Sequence, residues 1–193
     1  MIEDLIEGAK EIFNYKELFK EVILATMNSP EYLLDKIFPI YEQFYDLVMA
    51  FGTINIDEVQ KFLDSHLINS SNQPFFPLIA GLYVSALINR ILEEKNEISI
   101  NLIQLNKKII EKSNKEAILS QDTSNDENIC GIGYSLDFIG YLLPKNKTLN
   151  ISGAVGDYCG ALMNENSKII LNGNCGKHLG YEKHQTAKII QKI

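Results

Sequence analysis

The chain has 193 residues, of which 46% are hydrophobic and 22% charged, and its net charge is −7. These proportions are typical of a globular protein with one large domain or two small ones, and no apolar run is long enough to predict a membrane span. The acidic balance, with Arg90 as the single arginine, excludes the basic surface that nucleic-acid binding requires.

The three cysteines limit the class of protein further. Cys130, Cys159 and Cys175 stand 29 and 16 residues apart, and these spacings match neither a zinc knuckle nor an iron–sulfur run. The N-terminal MIEDLIEGAK lacks the basic and apolar regions of a secretory signal. We therefore expect a cytoplasmic protein with no bound metal and no other cofactor.

Residues 1–95, with 15 acidic and 7 basic residues, predict a bundle of about five helices. Pro39 is expected to kink or split the third helix, which starts at Ser29-Pro30-Glu31. The aromatic residues predict a core, and the alternative is a groove for a partner helix or a ligand. The predicted helices are 1–14, 15–28, about 30–51, a segment capped by Asn55 or Asp57 and ending at Leu67, and 76–94. The aromatic residues are Phe13, Phe19, Tyr32, Phe38, Tyr41, Phe44, Tyr45 and Phe51.

The composition changes at Lys95-Asn96. Residues 97–102 alternate between polar and apolar as a half-buried strand does, and residues 105–113 predict a short amphipathic helix. A second strand is predicted at 117–121, followed by a polar loop at 121–128.

A twenty-residue unit is then written three times without a spacer, as 131–150, 151–170 and 171–190. Leu149, Ile169 and Ile189 close the three units in register. Glycines hold matching positions, with Leu136 where the later units have a glycine. They are Gly133, Gly140, Gly153, Gly156, Gly160, Gly173, Gly176 and Gly180.

These glycines exclude a helical repeat, because each would cost about 1 kcal/mol in a helix interior. The period and the short β-prone runs predict instead the coils of a parallel β-helix, in which equivalent residues stack about 4.8 Å apart. Two columns of residues are expected to point inward and a third to lie on an exposed corner. The inward columns are Ile139/Cys159/Leu179 and Leu149/Ile169/Ile189, and the corner is Asp137/Asp157/Lys177.

The stretch ISGAVGDYCGALMNENSKIILNGNCGKHLGY resembles the glycine-repeat domain at the C-terminus of the glutamate synthase large subunit, and a similar domain that forms one of the subunits of formylmethanofuran dehydrogenase. The resemblance is strongest over 149–181 and extends back to Glu97. It implies a right-handed β-helix that acts as a spacer and docking surface, while the chemistry lies in other domains or subunits. The sequence thus predicts an α+β protein in two parts. An N-terminal all-α helical bundle at 1–95 precedes a short right-handed parallel β-helix of about three coils at 96–193.

Two pairs of residues admit a chemical interpretation beside a structural one. Cys159 and Cys175 are either a redox pair or small buried hydrophobes, and their places in different columns favour burial. His178 and His184, near Asp157, are candidate metal ligands, but they stand six residues apart with no evident third ligand. The simpler interpretation of His178 is a column of stacked rings with Phe138 and Tyr158.

The remaining motifs are explained by structure. Gly153–Gly156 and Gly173–Gly176 look like phosphate loops, but they recur with the repeat and no lysine follows as in a P-loop. His66 lies near a predicted helix C-terminus, where a positive charge is favourable.

No constellation of residues predicts catalysis, so we expect a structural or assembly protein that is not an enzyme. Its repeats would dock on a protein partner or on a second copy to form a homodimer, because the last repeat leaves a strand edge to be covered. One alternative is an accessory subunit of a glutamate synthase-like or formylmethanofuran dehydrogenase-like complex. The other is an enzyme with a cleft lined by Asp137, Asp157, Tyr158 and His178. Neither nucleic acid nor membrane is an expected partner.

Overall fold

The computed structural model describes residues 2–26, 32–120 and 135–192. Within those ranges the chain forms six α-helices and four β-strands. Several predictions concern residues outside these ranges, namely the Ser29-Pro30-Glu31 helix start, the loop at 121–128, Cys130 and Gly133.

Five helices occupy the first half of the chain, close to the predicted positions. Each of the first four buries one stripe of apolar side chains, as the helical spacing of those residues predicts. The helices are α1 (Ile2–Ile12), α2 (Lys16–Thr26), α3 (Leu33–Met49), α4 (Ile56–Ser65) and α5 (Phe76–Glu94), with 3₁₀ turns at Phe13–Tyr15 and Leu67–Ser70.

Two local predictions in this half have different outcomes. Asn55 does cap α4, because its side-chain oxygen accepts a hydrogen bond from the Asp57 N–H at 2.9 Å. Pro39 does not split α3, which runs through it from Leu33 to Met49.

Helix α5 is the central element of the core. Its apolar residues surround the helix on all sides, and most of them are fully buried. In the described part of the chain it is the one helix that is long and apolar enough to cross a membrane, but 83% of that stretch is buried inside the protein. This burial is the pattern of a core helix.

The second half contains a small parallel sheet. Its strands are β1 (Glu97–Asn101), β2 (Thr148–Ser152), β3 (Lys168–Asn172) and β4 (Lys188–Lys192), and helix α6 (Ile103–Ser120) lies between β1 and β2. The strand order is β1-β2-β3-β4, and the last three strands pair in register at a spacing of twenty residues. The repeat therefore sets the register of the sheet.

The predicted fold class is wrong. The chain is a mixed α/β structure with an open four-stranded parallel sheet, and a three-coil β-helix is not observed in the described ranges. One strand of five residues begins near the end of each repeat and continues two residues past it, and the described residues between the strands are turns, bends and irregular backbone. Left-handed backbone recurs in those turns, for example at Phe138, Gly140 and Leu142, and such residues interrupt any further extended segment.

The predicted second strand at 117–121 is also wrong in the described range, because α6 continues to Ser120. Leu105 and Ile109, one helical turn apart, are buried, and α6 packs against α4 and the 3₁₀ turn at Leu67–Ser70. The division into domains at 1–95 and 96–193 stays a prediction. Buried side chains from both halves form one continuous cluster.

Candidate interaction surface

Two aspartates join the repeats through their carboxylates. An oxygen of Asp137 accepts a hydrogen bond from the Asp157 N–H at 2.8 Å, and one of Asp157 accepts from the Lys177 N–H at 2.7 Å. The neighbouring glycines leave room for these oxygens, since a Cβ would lie 2.0 Å from Asp137 Oδ1 at Gly156 and 2.2 Å from Asp157 Oδ1 at Gly176. The exposed corner predicted here is wrong for both aspartates, which are half-buried.

The buried position of Asp137 alters its ionisation. Burial raises the pKa of Asp137 to about 7, and the Asp157 carboxylate adds to the rise while the hydrogen bond from the Asp157 N–H opposes it. This carboxyl group therefore titrates near neutral pH within the structure.

The predicted column of stacked rings is present. Phe138 and Tyr158 lie 4.9 Å apart between ring centroids and nearly parallel, and Tyr158 and His178 lie 4.6 Å apart. All three residues have left-handed φ values of 57–58°, which are uncommon for bulky side chains. The same conformation in each repeat indicates a requirement of the turn, with stacking to offset its strain.

Helix α5 covers the first repeat by replacing the bonds that a preceding repeat would make. The Asp137 N–H donates to the Pro77 carbonyl at 3.0 Å, where the equivalent Asp157 N–H uses an aspartate. Ser85 Oγ accepts from the Gly140 N–H at 2.9 Å, where the equivalent glycine of the next repeat uses a backbone carbonyl. We call the three successive repeats, layered through these bonds, the stack. Its first repeat is therefore capped by a helix of the same chain.

Two further residues of α5 complete this contact. Asn89 Nδ2 donates to the Tyr141 carbonyl at 2.9 Å. A Cβ at Gly81 would lie 1.7 Å from the Asp137 carbonyl oxygen, so only glycine lets the helix approach this closely.

The β1 edge of the sheet is covered at Asn101. The Gln60 amide donates to the Asn101 carbonyl at 2.8 Å and accepts from the Asn101 N–H at 2.8 Å. One side chain of α4 thus makes the pair of bonds that a neighbouring strand would make. Because this edge is occupied, another strand cannot pair at Asn101.

The opposite end of the stack is not covered in the described ranges. Core positions of the first two repeats become partly exposed in the third. Leu179 is partly exposed, whereas the equivalent Ile139 and Cys159 are fully buried. The same holds for Tyr181 against Tyr141 and Ala161, and for Ile189 against Leu149 and Ile169. We call the surface formed by these last three side chains and the free edge of β4 the open end.

The backbone at the open end has free hydrogen-bonding groups. The Tyr158 and Leu162 N–H groups donate to carbonyls of the third repeat at 2.9 and 3.0 Å. The equivalent N–H groups of His178 and Glu182 have no backbone partner in the described part of the chain. These donors can bind a further segment of polypeptide laid on the stack.

The last part of the described chain, which includes the open end, is basic in a chain that is acidic overall. Residues 171–192 contain one acidic residue, Glu182, and four lysines, Lys177, Lys183, Lys188 and Lys192. The whole chain carries a net charge of −7. The excess of lysines in this part of the chain therefore favours negatively charged partners.

The candidate cysteines and histidines are buried, stacked or in contact with neighbouring polar side chains. Cys159 is fully buried, and this burial raises the pKa of its thiol, while Cys175 is half-buried near Gln191. His178 stacks on Tyr158, whereas His184 Nδ1 lies 2.9 Å from the Thr186 hydroxyl. No group of three His, Cys, Asp or Glu side chains in the described ranges is placed to hold a metal ion.

The other sequence candidates also have structural contacts. His66 directly follows α4, and its N–H donates to the Phe62 carbonyl at 2.9 Å. The two glycine-rich segments lie between strands and turns of the stack, where Gly153 and Gly173 have positive φ values. The carboxylates of Asp137 and Asp157, named for an enzymatic cleft, are occupied by the repeat-to-repeat bonds.

The residues that cap the stack were missed from the sequence. Pro77, Gly81, Ser85 and Asn89 follow one another at intervals of four, so they share one face of α5. Small and polar residues at that spacing in an apolar helix were the available signal. Nothing in the sequence indicated that Gln60 would reach β1.

In comparison with known proteins, no family model, no curated protein and no solved structure matches this chain. The resemblance to the glycine-repeat domain of glutamate synthase and formylmethanofuran dehydrogenase therefore stays a prediction.

Proposed function

We propose that this chain is a non-catalytic assembly protein that binds a protein partner through its open end. The single observation that carries the proposal is the contrast between the two ends of the stack. Helix α5 supplies hydrogen bonds to the first repeat, whereas Leu179, Tyr181 and Ile189 are partly exposed in the third. Apolar side chains beside a free strand edge are a favourable surface for protein association.

The test is recovery of the tagged full chain from a native extract, followed by native mass measurement. We expect a mass above the 21.8 kDa of the chain, from a partner in fixed ratio or from a second copy. The variant Ile190→Asp is expected to abolish the association, because Ile190 borders the free edge of β4 and is 41% exposed.

The matched control is Ile110→Asp on α6, which introduces the same charge at a residue that is 43% exposed. We expect this variant to retain the association. A wild-type protein that is monomeric and partner-free in the extract would refute the proposal, as would equal effects of the two variants.

A further inference from the structure

The directions of the N–H and C=O groups on β4 determine which of its residues can form hydrogen bonds with an added strand. In a parallel strand the N–H and C=O of alternate residues point to opposite neighbours. The Lys188 N–H donates to the Ser167 carbonyl at 3.0 Å, towards β3. The N–H and C=O groups of Ile189 and Gln191 therefore point away from β3, to the free edge.

The side chains on β4 define the chemistry of a pairing segment. In β3, Ile169 and Leu171 are buried while Lys168 and Ile170 are partly exposed, so the register places Lys188, Ile190 and Lys192 on the outer face of β4. An added strand would place two of its side chains beside the two lysines and one beside Ile190. Opposite charges at such cross-strand positions are stabilising, and like charges are destabilising.

We propose that the free edge of β4 binds an extended acidic segment of a partner protein, with acidic side chains beside Lys188 and Lys192 and an apolar side chain beside Ile190. This inference rests on the proposed function and names the chemistry of the partner. Backbone bonds from Ile189 and Gln191 supply affinity that does not depend on sequence, and the lysines select the charge of the segment.

A second copy of this chain fits the same edge less well. Two β4 strands paired about a two-fold axis at Ile190 run antiparallel and place each Lys188 opposite the other copy's Lys192. Head-to-tail addition would require the edge of β1, which Gln60 occupies at Asn101. Charge repulsion opposes the first arrangement and the Gln60 contact opposes the second.

The test uses two fluorescent peptides of about ten residues, enough for one strand with polar flanks. One has Glu-Val-Ile-Val-Glu at its centre and the other Lys-Val-Ile-Val-Lys, and both centres read the same in either direction. Binding to the full chain is measured by fluorescence anisotropy. We expect the acidic peptide to bind at least about tenfold more tightly than the basic one, and to weaken as ionic strength rises from about 0.05 M to about 0.5 M.

Two variants with matched controls separate the backbone contribution from the charge. Gln191→Pro removes the N–H that points to the free edge, and Gln191→Ala keeps it, while both lose the side-chain bond to the Gly173 carbonyl. Lys188→Glu/Lys192→Glu reverses the charge at the edge. Lys16→Glu/Lys20→Glu makes the same charge change at two exposed residues of α2.

We expect loss of acidic-peptide binding in Gln191→Pro and in the β4 double variant, and binding within about twofold of wild type in both controls. Equal binding of the two peptides, or binding of neither, would overturn the inference. So would a homodimer in the extract that Gln191→Pro dissociates, although that result would support the proposed function. A partner-free monomer in the extract would refute both.

Discussion

At the scale of single residues, the bond between repeats depends on an aspartate and a glycine that act together. Each aspartate carboxylate accepts a hydrogen bond from a backbone N–H one repeat further on, and the glycine before that donating residue leaves space for the carboxylate oxygen. The first repeat has Leu136 where the later ones have glycine, because no aspartate precedes it in the stack. One hydrogen bond therefore explains why this position changes from Leu136 to Gly156 and Gly176.

The raised pKa of Asp137 predicts a pH dependence of stability. Folding raises this pKa from 3.8 to about 7, so the folded state holds the proton more tightly than the unfolded state. The contribution of Asp137 is therefore complete below pH 3.8 and is lost as pH rises to about 7. Its full size is at most about 4 kcal/mol.

The variant Asp137→Asn should remove this loss, because the amide keeps an oxygen that accepts from the Asp157 N–H and carries no charge. We expect the free energy of unfolding at pH 8, from chemical denaturation, to be about 1–3 kcal/mol higher than that of wild type, with a smaller difference at pH 5. Equal pH profiles for wild type and Asp137→Asn would contradict the assignment.

At the scale of elements, helix α5 takes the place of a missing repeat. A stack of identical units needs a different cap at its end, because the terminal backbone groups have no equivalent partner. The apolar helix provides that cap through the Pro77 carbonyl, the Ser85 hydroxyl and the Asn89 amide. The polar groups that cap the stack therefore lie together on one face of a largely apolar helix.

The variant Ser85→Ala tests this capping. The Ser85 hydroxyl donates to the Phe138 carbonyl at 2.7 Å and accepts from the Gly140 N–H, and all three groups are buried. Alanine leaves the buried Gly140 N–H unpaired, whereas the Phe138 carbonyl still accepts from the Tyr141 N–H at 2.9 Å. We therefore expect a loss of about 1–3 kcal/mol in the free energy of unfolding. Hydrogen exchange at the Gly140 amide should become faster.

The control is Ser99→Ala on the exposed face of β1, which is expected to change stability by less than about 0.5 kcal/mol. A Ser85→Ala protein as stable as this control would show that α5 does not cap the stack.

At the scale of the whole molecule, the stack has one covered end and one free end, and its stability should decline between them. Strand β3 pairs on both sides, while β4 pairs with β3 alone in the described part of the chain. Local opening is easiest where buried contacts are fewest, so terminal repeats open first. We therefore expect local stability to be lowest in the third repeat, next to the open end.

Native-state hydrogen exchange measures the gradient. We expect the Lys168 amide, bonded to the Lys147 carbonyl, to exchange at least about tenfold more slowly than the Lys188 amide, bonded to the Ser167 carbonyl. Binding of the acidic peptide should slow exchange in β4 and leave α1 unchanged. Uniform protection along the stack would indicate that the third repeat is as stable as the second and needs no partner.

The order of residues is sufficient to locate the helices and to set the register of the sheet. Periodic apolar residues locate α1 to α5, and the twenty-residue repeat aligns Leu149, Ile169 and Ile189, because both are local patterns along the chain. The repeat also predicts the column of stacked rings, because equivalent positions of successive repeats lie above one another.

Contacts between distant residues determine how the sheet ends and how many strands each repeat makes, and these required the folded structure. The sequence predicts one turn of a parallel β-helix in each repeat, whereas the structure has an open sheet in which left-handed residues such as Phe138 and Leu142 interrupt the extended backbone. The partners of Ser85 and Gln60 lie 55 and 41 residues away, and no local pattern encodes such a contact. The open end exists because those distant side chains cap one side of the stack and nothing in the described chain caps the other.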